Sequence, residues 1–204
     1  MSITSIASDA ASRPAVRTSA ARQRLLDAAG ELFYGEGIHS VGVDRIIEAA
    51  GVTRATMYKQ FDGKEGLVLA YLAGEDRQLR DLFTQAAGVS SDPLVLLDLT
   101  IAGIEEDIRN RHTRGCPFIN AAAEYPDEGP VRDLIADHRE WFRSTLRQLA
   151  DAACLTDPDD VAASLVLLRD AALVGGYLDG EDRVAPAFAR TARGVIAAHS
   201  PGRG

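Results

Sequence analysis

Cysteine is scarce in this chain, with only Cys116 and Cys154 among 204 residues. Two thiols cannot make the disulfide framework of a small secreted scaffold, so reduced cysteines in a cytoplasmic protein are expected. No run of about 18 uncharged apolar residues occurs, which argues against a transmembrane helix. The N-terminus is polar, carries Asp9 and has no apolar stretch, so a secretory leader is not expected. The histidines (His39, His112, His138, His199) give no metal-ligand spacing, with or without the cysteines. No nucleophile–base pair, phosphate loop or paired helical carboxylates stand out. A non-enzymatic protein without cofactor or metal is therefore expected. Period-2 alternation is also missing, which leaves an all-α fold.

What is present is ordinary globular composition, with 46% hydrophobic and 25% charged residues. The net charge of -8 taken alone argues against a nucleic-acid binder. Its distribution does not. Residues 1–63 hold seven basic and seven acidic side chains, so the whole deficit lies in residues 64–204. Arg13, Arg17, Arg22 and Arg24 come with no acid between residues 10 and 26. Such asymmetry points to a nucleic-acid-facing end and a different task for the rest.

Residues 1–17, rich in Ser and Ala with Pro14, read as a flexible basic arm. Arg13, Arg17, Arg22 and Arg24 together suit an arm that reaches the minor groove, with plain solvated charge the alternative for Arg13 and Arg17. Thr18 or Ser19 then caps a helix with Leu25, Ala28, Ala29, Leu32 and Phe33 on one face, closed by Gly37. Val43–Ala50 is a short amphipathic helix. Gly51-Val52 turns, and Thr53 caps a second short helix, Arg54–Phe61. Two short helices joined by a glycine-containing turn form the helix-turn-helix pattern. Long helices follow: Lys64 to about Ala87, Asp92-Pro93 onward, Gly129-Pro130 to Ala153, and Asp157-Pro158 to about Leu178. A short one covers Phe118–Tyr125, and a last one is expected after Pro186 to His199. The Glu105-Glu106-Asp107 run reads as a solvated face.

The segment Gly37–Phe61, GIHSVGVDRIIEAAGVTRATMYKQF, followed by Lys64-Glu65, resembles the DNA-binding domain of TetR-family transcriptional regulators. The resemblance spans about Ser19 to Leu72. It implies a three-helix helix-turn-helix head over 18–63 and a helical ligand-binding and dimerisation bundle over 64–204. The implied protein is a homodimeric repressor, released from a palindromic operator by a small apolar or amphipathic effector. Two positions depart from the family pattern. Gly42 stands where Thr or Ser is usual, and Gln60 where His or Tyr is usual.

For contact with double-stranded DNA the expected residues are Arg45, Thr53, Arg54, Thr56, Tyr58, Lys59, Gln60 and Lys64. Arg54 suits guanine and Gln60 adenine, whereas Lys59, Lys64, Arg45 and Tyr58 suit phosphates. Met57, Phe61, Ile46 and Ile47 are assigned to the core. For the effector the expected residues are Phe118, Asn120, Glu124, His138, Trp141 and Tyr177, and His138 reads equally as a core histidine. Cys116, flanked by Arg111, His112 and Arg114, reads as a buried packing residue or as a redox-sensitive thiol. The helix after Pro158 is apolar nearly all round, which implies burial on more than one side. The resemblance implies that one face meets a twin subunit, and the alternative is a central helix of a monomeric bundle. The competing reading is an all-α small-molecule-binding or redox-sensing module with no DNA role.

Overall fold

Ser19 opens the first helix as its spacing predicts, its hydroxyl accepting the Arg22 N–H at 3.1 Å. It is also where the computed structural model begins to describe the chain, which it does over residues 19–202. The arm 1–17, with Arg13 and Arg17, and the alternative cap Thr18 lie outside the described residues. Nine helices and no strand occur among the described residues. They are α1 (Ala20–Glu36), α2 (Val43–Ala50), α3 (Arg54–Gln60), α4 (Gly63–Val89), α5 (Pro93–Asn110), α6 (Pro117–Glu124), α7 (Pro130–Ala152), α8 (Pro158–Asp179) and α9 (Glu181–His199).

The described chain forms two compact units. One holds residues 19–78 and 117–137, the other 79–116 and 138–202. In the first, α1 packs on α2 and α3 around Leu25, Ala29, Phe33, Ile46 and Met57, all buried, with Leu67, Val68 and Leu72 of α4 also buried. Ile47, expected in this core, is only half-buried. The turn between α2 and α3 requires a left-handed residue, and Gly51 supplies it at φ 60°. Phe61 lies just beyond α3 in an extended conformation, so that helix stops one residue earlier than its pattern suggests.

In the second unit, Asp92 caps α5 through the Leu94 N–H at 2.9 Å, with Pro93 in the first turn. Helices α5, α8 and α9 pack on one another. A Cβ on Gly176 would come within 2.8 Å of Ile108 Cγ2, so α5 and α8 approach as closely as they do only because that position has no side chain. Helix α9 corrects the sequence reading. It begins at Glu181, and Pro186 lies inside it. The missing proline N–H falls early in the helix, where it leaves only the Asp182 carbonyl without an i+4 donor. Burial of Ala185 on the same turn holds the chain helical ahead of the proline.

By length and composition α8 is apolar enough to cross a membrane, although it holds no uninterrupted uncharged run of about 18 residues. Arg169 and Asp170 interrupt it at mid-length. Its inward face is buried at Val161, Leu165, Val166, Leu173 and Gly176. Leu167, Val174, Tyr177 and Leu178 remain exposed along its outer side.

Candidate nucleic-acid interface

The second short helix of the helix-turn-helix is held by its cap. The Thr53 hydroxyl accepts the Thr56 N–H at 3.1 Å and lies 2.9 Å from the Thr56 hydroxyl. Met57 points inward and is fully buried, which turns the opposite side of α3 to solvent. Arg54, Tyr58 and Lys59 lie on that side, Tyr58 with 52% exposure, while Thr56 and Gln60 are half-buried. The structure thus brings Thr53, Arg54, Thr56, Tyr58, Lys59 and Gln60 onto one two-turn helix, the size that enters a major groove. Helix α2 has no side-chain cap, because Gly42 has no hydroxyl to offer.

Both expected arginines carry an acidic partner in the protein alone. Arg54 Nη2 donates to Asp44 Oδ1 across α2 and α3, and Arg45 binds Glu36 with both nitrogens, Nη2 to Oε1 at 2.6 Å. All four side chains are at least 40% exposed, so these pairs are worth only about 0–1 kcal/mol each and yield readily to a phosphate or a base. Asp44, which the motif did not single out, is the acceptor for the Arg54 guanidinium.

Arg22 and Arg24 belong to the scaffold rather than to an arm. Arg22 Nη1 donates to the Gln60 carbonyl at 2.7 Å, its guanidinium lying 4.1 Å from the Phe61 ring centroid. Arg24 Nε donates to the Ala50 carbonyl at 3.0 Å. Each satisfies an orphan carbonyl where α3 or α2 ends, with the cation at the negative end of the helix dipole.

Glu124, expected to face an effector, has its carboxylate engaged in the head unit. Its oxygens accept the backbone N–H of Ile38 at 2.7 Å and of His39 at 2.5 Å, in the turn between α1 and α2. Burial lowers the pKa of Lys64, at the start of α4, and the nearby Glu124 charge opposes that shift. Burial, then the charges of Glu65 and Glu124, raises that of Tyr125. Phe118 is buried and Asn120 half-buried in this unit.

The other expected effector residues lie in the second unit. His138 is buried, and Trp141 meets the Phe83 ring edge-on at 5.4 Å with Arg80 4.3 Å from its centroid. Tyr177 is exposed on the outer side of α8 rather than turned inward. Cys116 is a buried free thiol. In the acidic run, Asp107 is half-buried with its carboxylate 2.7 Å from His112 Nδ1, so that stretch is not wholly a solvated face. A small apolar cleft is lined by Phe83, Ala86, Ala87, Leu96, Thr100, Thr145 and Leu149, none of them anticipated. Among the described residues no group of His, Cys, Asp and Glu side chains is arranged to hold a metal ion.

Comparison with known proteins agrees with this geometry. The family model for bacterial regulatory proteins of the tetR family matches residues 25–71, and that for the tetracyclin repressor-like C-terminal domain matches residues 96–192. An uncharacterized HTH-type transcriptional regulator of Mycobacterium tuberculosis is 43% identical over 74 residues, 36% of this chain and 37% of that relative's length. The transcriptional regulator AcuR of Cereibacter sphaeroides is 31% identical over 190 residues, 88% of this chain and 86% of its own. The crystal structure of SCO4454, a TetR-family regulator from Streptomyces coelicolor, superposes with a TM-score of 0.86 at 42% identity, covering 90% of this chain and 97% of the other.

Proposed function

Because the chain belongs to the TetR family of bacterial transcriptional regulators, we propose that it is a homodimeric repressor that leaves a pseudo-palindromic operator when a small molecule binds its helical body. The observation that carries the reading is α3: a capped two-turn helix with its apolar side buried and Arg54, Tyr58 and Lys59 turned outward. Arg54 reads a guanine edge, and Gln60 and Thr56 add base contacts. Lys59, Tyr58, Arg45 and Lys64 bind phosphates, and Thr53 keeps the helix N-terminus in place. The head is residues 18–63, the effector-binding and dimerising body 64–204, and the work is done in the cytoplasm without catalysis.

Dimerisation is supported by the outer side of α8, where Leu167 is 70% and Leu178 69% exposed beside Val174 and Tyr177. A twofold pair sets two copies of α3 about 34–36 Å apart, one turn of DNA. Effector and operator then oppose each other by linkage, each favouring a different spacing of the heads. A relative described as a transcriptional repressor, KstR2 of Rhodococcus jostii, is 30% identical over 128 residues and supports repression as the direction of control.

The test is selection of bound duplexes from a random pool, followed by a salt titration. An enriched inverted repeat, with log affinity falling linearly in log salt, is the expected result. A folded, dimeric protein that enriches no sequence overturns the reading.

A further inference from the structure

We infer that the helical body holds a recognition site for an organic acid, built on Arg169, an inference that rests on the effector-controlled reading above. Arg169 lies on the inward face of α8, in line with Val161, Leu165 and Leu173, and its side chain is only 8% exposed. Among the described residues it donates no hydrogen bond. Its nearest carboxylate oxygen, Asp170 Oδ1, stands 3.6 Å from Nη1, beyond hydrogen-bond range. That oxygen is itself buried and accepts no hydrogen bond. The other oxygen of Asp170 is taken by Arg139 Nη2 at 2.7 Å. Two guanidinium groups therefore share one carboxylate, and the more deeply buried of the two has the weaker claim on it. A buried cation without a matched counter-charge is strongly disfavoured unless a partner completes it.

The environment narrows the partner. The planar fork of a guanidinium matches a carboxylate with two parallel hydrogen bonds. One excess positive charge balances a monoanion, whereas a phosphate dianion would overshoot it. The Arg169 guanidinium lies 5.0 Å from the Phe142 ring centroid, so one side of it is apolar. Phe142 in turn meets the ring of Phe83 at 6.0 Å, and Phe83 lines the small cleft with Leu96 and Leu149. The two hydroxyls of that cleft are turned to their own helices, Thr100 to the Leu96 carbonyl at 2.8 Å and Thr145 to the Trp141 carbonyl at 2.9 Å. The lining is therefore apolar, and a volume of about 20 Å³ admits only a short group. The ligand class is a monocarboxylate with a short hydrocarbon tail, its head on Arg169 and its tail beside Phe142 and Phe83.

The full chain is titrated with n-alkanoates, benzoates and 2-hydroxyalkanoates, each against its primary amide. Binding is read by calorimetry and thermal unfolding without DNA, then by release of the selected operator. At 100 times its Kd, an acid should raise Tm by about 5–10 °C while its amide leaves Tm unchanged. Arg169→Met should abolish the rise without lowering the Tm of the unliganded protein, because no hydrogen-bonded pair is lost. Arg169→Lys, which keeps the charge in place should the Met variant misfold, should bind the same acid at least tenfold more weakly. The inference is overturned if no acid raises Tm, if amides act like acids, or if Arg169→Met or Arg169→Lys responds like the parent. An acid that binds through Arg169 yet leaves operator affinity unchanged upholds the site and overturns release by effector instead.

Discussion

Arg54 illustrates how much a single residue's meaning depends on its neighbours. On a bare helix it is one more solvated cation. Here it stands at the start of a capped helix, with Asp44 of α2 holding its guanidinium. Arg54→Ala should weaken operator binding by about 1–3 kcal/mol and relax preference at one base position, measured by competition among operator variants. Asp44→Asn should leave the fold intact and act on the same base position, since it frees the fork from its partner. A change spread evenly over all positions would count against an orienting role for Asp44. Lys59→Ala should instead weaken all sequences alike and reduce the salt slope by about one. Lys64 offers a titration test. Burial lowers its pKa and Glu124 opposes that, so Glu124→Gln should lower the lysine pKa further, as followed by side-chain NMR. A rise would overturn the assignment of causes.

At the scale of elements, the ends of helices were more legible than their partners. Ser19, Thr53 and Asp92 each cap the helix their position predicts, because capping is a local matter of one oxygen and an N–H two or three residues on. Thr53→Ala should cost about 1 kcal/mol and lower Tm by about 2–4 °C. Operator binding should fall with it, since the same cap holds the start of α3. The start of α9 was misread for the opposite reason. Pro186 is a strong local signal for a helix start, yet burial of Ala185 extends the helix a turn and a half before it. Arg22 and Arg24 were misread as well: the carbonyls they serve lie 38 and 26 residues away in sequence.

For the molecule as a whole, the proposed dimer has its interface on the outer side of α8. Leu167, Val174, Tyr177 and Leu178 would not face water at no cost in a solitary chain. Leu167→Glu together with Leu178→Glu should convert a dimer to a monomer in analytical ultracentrifugation without reducing helix content. Operator affinity should collapse to that of a single half-site. A double variant that still sediments as a dimer would place the interface elsewhere.

The sequence by itself determined the all-helical class, the helix-turn-helix, the buried Ile46 and Met57, and the outward side of α3. These follow from periodicity and capping, which act over a few residues. Only the tertiary structure decided what depends on residues far apart in the chain. Glu124 bonds to Ile38 and His39 across 86 and 85 positions, and residues 117–137 join the compact unit that holds the head. Phe142 gives Arg169 its aromatic face, and Asp170 lies closer to Arg139, at 2.7 Å, than to the neighbouring Arg169, at 3.6 Å. No local pattern specifies such pairs, because hydrogen bonds and ion pairs between distant residues form only once packing has brought the helices together.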